Sequence, residues 1–87
     1  MAEELLEVTV SDPDRVLWKG KANSVSSENL QGPFDILPQH ANFITIVQKQ
    51  PIRIQTANEK KEFNFNNAII YNWNNKVNIL TSTELKI

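Results

Sequence analysis

Apolar and polar residues alternate along most of this chain with a period of two. That is the spacing at which side chains of an extended strand fall on opposite faces. Leu6, Val8 and Val10 lie on one side of such a strand, Glu7 and Thr9 on the other. Val16, Trp18, Gly20 and Ala22 form one side of a second strand against Leu17, Lys19 and Lys21, with Gly20 marking a bulge or a close approach. Asp12-Pro13-Asp14 between them is a turn: proline presets its φ and the Asp side chains cap nearby amides. A weaker strand surrounds Val25. Gly32-Pro33 then reads as a turn into an apolar stretch, 34–37, that ends at a corner on Pro38. Residues 43–47 form an unbroken apolar, β-branched run, as expected of a strand buried on both faces. Ile52, Ile54 and Thr56 alternate with Arg53 and Gln55, and Phe63 and Phe65 with Glu62 and Asn64, across a hairpin tip at 58–61. Ile69, Tyr71 and Trp73 share one face and lead into Asn74-Asn75, then Val77 and Ile79 follow. Asparagine tolerates positive φ, so this pair fits a primed hairpin turn.

No amphipathic helix of useful length appears. Short strands punctuated by regular turn signals predict an all-β fold, a two-sheet β-sandwich of about 8–10 short antiparallel strands. The 87 residues are expected to form one domain, 1–87, without internal repeats.

Composition narrows the chemistry. There is no cysteine, hence no disulfide framework, thiolate metal site or Cys-His catalysis, and with a single histidine a serine triad would depend on His40 alone. Two glycines, Gly20 and Gly32, cannot build a phosphate-cradling loop, and no serine sits in a nucleophile elbow. Acidic pairs such as Glu3-Glu4 read as solvated faces. No reaction, metal or cofactor is expected of this chain. Its formal charge of −1 gives no basic stripe for nucleic acid, no apolar run is long enough for a membrane helix, and the acidic start is no secretory signal. Trp18, Tyr71 and Trp73 still leave open a small β-barrel or sandwich module that stacks on an oligonucleotide or sugar. Against that, Trp18 shares the apolar side of its strand, which favours core packing, while Tyr71 and Trp73 fit a partly exposed patch for a protein partner.

The most specific stretch is 32–45, GPFDILPQHANFIT. Gly32, Phe34, Ile36, Leu37, Pro38, His40, Ala41, Phe43, Ile44 and Thr45 match the central signature of the amino-terminal β-sandwich of the epsilon subunit of F-type ATP synthase, which the chain resembles. Flanking matches at 8–11, 16–20, 25, 52–54 and 76–80 extend the resemblance over nearly the whole chain. It implies a non-catalytic central-stalk subunit of a proton-translocating ATP synthase, linking the gamma shaft to the c-ring during rotational synthesis. Its place would be peripheral, on the cytoplasmic side of a bacterial inner membrane, reached only through partners. By the same resemblance Ser11, His40 and Thr45 face the shaft, and Gln31, Gly32, Pro33 and Phe34 face the ring. Pro33 stands where the family usually carries an acidic residue, with Asp35 close by. Read without the family, His40 is a corner histidine bonded to a backbone carbonyl, and Phe34 a core residue behind a turn. The family usually continues into a two-helix hairpin; ending at Ile87, this chain is expected to carry neither an inhibitory arm nor a nucleotide site.

Overall fold

The computed structural model describes residues 4–81. Glu3 and the stretch 82–87, on which the reading of the chain's end rests, lie outside them. Nine strands run in order: β1 (Leu6–Ser11), β2 (Val16–Ala22), β3 (Ser24–Asn29), β4 (Gly32–Ile36), β5 (Phe43–Gln48), β6 (Pro51–Gln55), β7 (Lys60–Asn64), β8 (Asn67–Trp73) and β9 (Lys76–Thr81). They form a five-stranded sheet, β2-β1-β9-β8-β5, and a four-stranded sheet, β4-β3-β6-β7. The two-sheet all-β architecture expected from periodicity is what forms. Neighbours are antiparallel except β1 and β9, which pair in parallel at the middle of the larger sheet.

The inner faces meet in a core dominated by β-branched side chains. Val8, Val10, Ile70, Val77 and Ile79 from the larger sheet and Val25, Ile36, Ile52 and Ile54 from the smaller are fully buried. Branching at Cβ suits these side chains to a pleated surface, so propensity and burial agree. The larger apolar residues Leu17, Trp18, Phe34, Phe43, Phe63 and Phe65 sit half-buried around this core.

Four local readings change. The β6–β7 hairpin tip is 56–59 rather than 58–61, since Gln55 pairs with Lys60 and Ile54 with Lys61. The turn before β4 is not Gly32-Pro33 but Leu30-Gln31, since Asn29 still pairs with Gly32. Gly32 holds φ +119° with open space where a Cβ would stand, so the backbone conformation, not room, requires glycine there. Pro33 lies on an edge strand, where a missing N–H leaves no ladder gap. Val16 does not share Trp18's face. A register shift after Val10 sets Trp18 opposite Val10 but Val16 opposite Ser11; the extra residue, Leu17, turns inward and Val16 faces solvent. Finally, β5 is not buried on both faces. It is an edge strand: Val47 is buried, whereas Ile44 and Ile46 are exposed on the outer face.

The Asp12 turn forms as expected, its Oδ1 accepting from the N–H groups of Asp14 (2.8 Å) and Arg15 (2.9 Å). Asn74 and Asn75 both take positive φ, 49° and 65°, as a primed turn requires. Gly20 is a close approach: the Trp18 indole lies over it, and a Cβ there would come within 2.8 Å of Cζ2. Gly20→Ala must therefore push a rigid ring out of the core margin. It should cost ~1–3 kcal/mol, read as a lower urea midpoint with a shifted tryptophan emission.

Candidate functional site

The two outer faces of the sandwich differ in kind. That of the smaller sheet is polar, carrying Ser24, Ser26, Asp35, Arg53, Gln55 and Glu62. There Ser26 Oγ donates to Asp35 Oδ1, and Arg53 pairs across the ladder with Glu62 at 3.5 Å. Such an exposed pair stabilises the fold by at most ~1 kcal/mol.

The outer face of the larger sheet is graded. At one end, strand pairing lines up Ile46, Ile69, Leu80, Ser11 and Val16 in a row across all five strands. The next row reads Ile44, Tyr71, Asn78, Thr9 and Lys19, and the third Trp73, Lys76, Glu7 and Lys21. Ile44, Ile46 and Trp73 are 68%, 57% and 60% exposed. Period-two alternation thus gives β8 two apolar faces: Ala68 and Ile70 inward, Ile69 and Tyr71 outward. A contiguous exposed apolar face is the mark of a surface that another protein covers.

Two features border this face. A groove beside β5 is lined by Asn29, Leu30, Gln31, Ile44, Thr45, Ile46 and Ile69. A corner at 37–42 is tied to the β8–β9 hairpin by asparagines. Asn72, fully buried, donates through Nδ2 to the carbonyls of His40 (3.2 Å) and Ala41 (3.1 Å); Asn74 N–H donates to Asn42 Oδ1 (2.9 Å). Gln39 N–H reaches Asn75 Oδ1, and the Glu4 carboxylate accepts from Gln39 Nε2 and Asn75 Nδ2, both at 2.9 Å. Asn72 Oδ1 accepts no hydrogen bond. Asn72→Leu leaves two carbonyls without their donor while removing that orphan acceptor. The net loss should be ~1–2 kcal/mol, accompanied by faster hydrogen exchange at residues 39–42.

The residues named from sequence are placed as follows. Ser11 lies in the apolar row, between Leu80 and Val16. Thr45 is half-buried on β5, its hydroxyl accepting from Asn29 Nδ2 at 2.9 Å. His40 is exposed at the corner, with Nδ1 2.8 Å from the carbonyl of Ala41 and its ring 5.0 Å from that of Phe43. Phe43 in turn meets Phe34 edge to face at 5.8 Å, so Phe34 supports the core margin behind its turn. Gln31 stands exposed at the β3–β4 tip, where its N–H donates to Asn29 Oδ1, and Gly32 and Pro33 open the edge strand β4. Thr45 and Gln31 share the groove; Ser11 stands three strands away, roughly 14 Å. Trp18 belongs to the core margin, which leaves Tyr71 and Trp73 as the exposed aromatics of the proposed stacking platform. Ile44, Ile46 and Leu80 are the surface residues that sequence reasoning missed. For Ile44 and Ile46 the signal was the absence of charged residues in 43–47, which burial and an exposed apolar face produce alike.

Among the described residues no group of His, Asp and Glu could hold a metal ion. A two-sheet sandwich with a polar outer face on one sheet and an apolar row on the other is a binding-type β domain in its architecture. The family described as ATP synthase, Delta/Epsilon chain, beta-sandwich domain matches residues 5–86, and the chain belongs to it. Relatives named ATP synthase epsilon chain include one from Helicobacter pylori (strain ATCC 700392 / 26695), 33% identical over 76 residues (87% of this chain, 62% of that one). Another, from Clostridium kluyveri, is 35% identical over 79 residues (88% and 59%). A third, from Brevibacillus brevis, is 36% identical over 56 residues (64% and 42%). The chain thus spans between 42% and 62% of these relatives. The same fold recurs in a chain of the Euglena gracilis mitochondrial ATP synthase, with a TM-score of 0.80 at 12% identity (88% of this chain, 50% of that one). It recurs again in the central stalk/c-ring structure of the Tetrahymena thermophila mitochondrial enzyme, at 0.76 and 12% (95% and 67%).

Proposed function

We propose that this domain is the sandwich of a non-catalytic rotor subunit in a proton-translocating F-type ATP synthase. In this reading it grips the gamma shaft, rests on the c-ring, and transmits rotation between them. The observation that carries the reading is the apolar row across the larger sheet, present on a fold shared with epsilon chains. Torque transfer needs a stiff body and a wide interface. A close-packed β-branched core supplies the first, since its density lets strain pass without deformation. An interface of ~800 Å² per partner supplies the second, and a five-stranded face offers area on that scale.

Shaft contact is assigned to the outer face of the larger sheet and its borders, with Ser11 in the row, Thr45 in the groove and His40 at the corner. Ring contact is assigned to the β3–β4 tip and its continuation: Gln31, Gly32, Pro33 and Phe34. Phe34 acts there from behind, holding the turn through its edge-to-face contact with Phe43. The subunit would then be peripheral, on the cytoplasmic side of a bacterial inner membrane.

Co-expression with the gamma subunit of the same genome tests this. The two should co-purify as a stable 1:1 complex; separate elution at micromolar concentration would refute the reading. Single-stranded DNA at low salt serves as the contrasting probe, and salt-sensitive micromolar binding would favour a stacking module on Tyr71 and Trp73 instead.

A further inference from the structure

The free edge of β5 differs from the other sheet edges. The two sheets end in β2, β5, β4 and β7. An edge strand presents unpaired N–H and C=O groups, and soluble proteins blunt it with charge, proline or a bulge. β2 carries Lys19, Lys21 and the register shift; β4 carries Pro33 and Asp35; β7 carries Lys60, Lys61 and Glu62. β5 reads FITIVQ, with no charge, no proline and regular pairing to β8 along its whole length. Left open to water, such a segment is an aggregation template.

The phase of the ladder tells which groups are free. Lys49 N–H donates to the carbonyl of Asn66 at 3.0 Å, continuing the β5–β8 register by one pair. Bonded and non-bonded pairs alternate in an antiparallel ladder. Phe43, Thr45 and Val47 therefore bond to β8, while the main-chain groups of Ile44, Ile46 and Gln48 point away from the sheet. Beside them runs the groove between β5 and the β3–β4 tip, whose lining contains no charged residue. A charged guest would lose its hydration there and find no counter-ion.

We propose that the β5 edge is a strand-addition site for an extended, uncharged segment with apolar residues at alternate positions, supplied by the shaft subunit. The identity of the donor rests on the rotor reading and on continuity: Ile46 begins the apolar row assigned to the shaft, and Ile44 begins the next. The added strand bonds to the outward groups of Ile44, Ile46 and Gln48 and lays its apolar side chains along the groove. It extends the five-stranded sheet by one and removes the unprotected edge.

The test is amide hydrogen exchange on the full chain, free and in complex with the gamma subunit of the same genome. In the free chain Thr45 and Val47 should exchange slowly, and Ile44 and Ile46 fast. In the complex Ile44 and Ile46 should slow by ~100-fold or more. Ile46→Pro deletes an outward donor but no β8 bond, and should weaken the complex at least ~10-fold; Ile46→Val keeps the N–H and should stay within ~3-fold. Ile44 and Ile46 amides that exchange equally fast in both states overturn the proposal, as does equal affinity of the Pro and Val variants. A free chain that sediments as a dimer with β5 already protected assigns the edge to a second copy and also overturns it. Absence of any complex with the unaltered chain removes the rotor reading and this proposal together, whereas a complex with an unprotected β5 removes only the proposal. Should Ile46→Pro fail to fold, exchange in the unaltered chain decides alone.

Discussion

Ile69→Lys should lower the affinity of the chain for the shaft subunit by about 100-fold while leaving the sandwich folded. Ile69 lies within the apolar row of the outer face, directly between Ile46 on β5 and Leu80 on β9. In the free chain it is 41% exposed. A lysine there can lay its methylenes over its two neighbours and keep its ammonium in water. The stability change should stay within ~1 kcal/mol, set mainly by the lower strand propensity of lysine. Once a partner covers the row, the ammonium must either lose its hydration or hold the surfaces apart. Charged groups at the centre of an interface cost ~2–4 kcal/mol, a factor of roughly 30 to 1,000 in dissociation constant. Calorimetric titration of the variant, with a urea curve beside it, separates the two effects. Arg53→Ala on the polar outer face is the control and should leave affinity unchanged. Unaltered affinity of Ile69→Lys, or equal loss in the control, would move the shaft contact to another face.

Much of this molecule is written in the period-two pattern, because one buried face per strand is a local property of sequence. The strands, the Asp12 and Asn74-Asn75 turns and the β-branched core were all legible. Edges were not. Strand order is set by long-range pairing, and nothing inside FITIV distinguishes a strand covered by its own sheets from an edge strand with an exposed outer face. The bulge at β2 was equally hidden, since one extra residue reverses the parity of everything before Trp18: Leu17 turns inward and Val16 outward, while Trp18 and Ala22 keep their side. The β3–β4 turn was misplaced by two residues for a related reason. Gly32 supplies the positive φ that closes the hairpin, but the exposed tip is Leu30-Gln31, and leucine is not a turn signal. At His40 the ring lies within hydrogen-bonding distance of a backbone carbonyl, as the corner reading expects, and it is also exposed, as the proposed shaft contact requires. The asparagine ties that hold this corner reach it from β8 and the following turn, at sequence separations of 31 to 36 residues. No local motif encodes them.

Ile70→Ala, one position along from Ile69, should act almost entirely on stability. Ile70 is fully buried on the inner face, opposite Thr45 on β5 and Ile79 on β9, where the larger sheet packs over the smaller. Truncation removes the transfer free energy of the lost carbons and leaves a void that neighbours held in ladders on both sides cannot collapse to fill. Substitutions of this kind cost ~2–5 kcal/mol. A domain of 87 residues has a total stability of ~4–13 kcal/mol, so the variant sits near the threshold of folding. Chemical denaturation should show a midpoint lowered in proportion, with the slope unchanged because the surface exposed on unfolding is the same. While the variant remains folded, its outer row is intact and its affinity for the shaft should match that of the unaltered chain. Adjacent isoleucines therefore separate the two uses of one strand. Loss of binding without loss of stability at Ile69, and the reverse at Ile70, is the result expected if the inner face builds the wedge and the outer face grips the shaft.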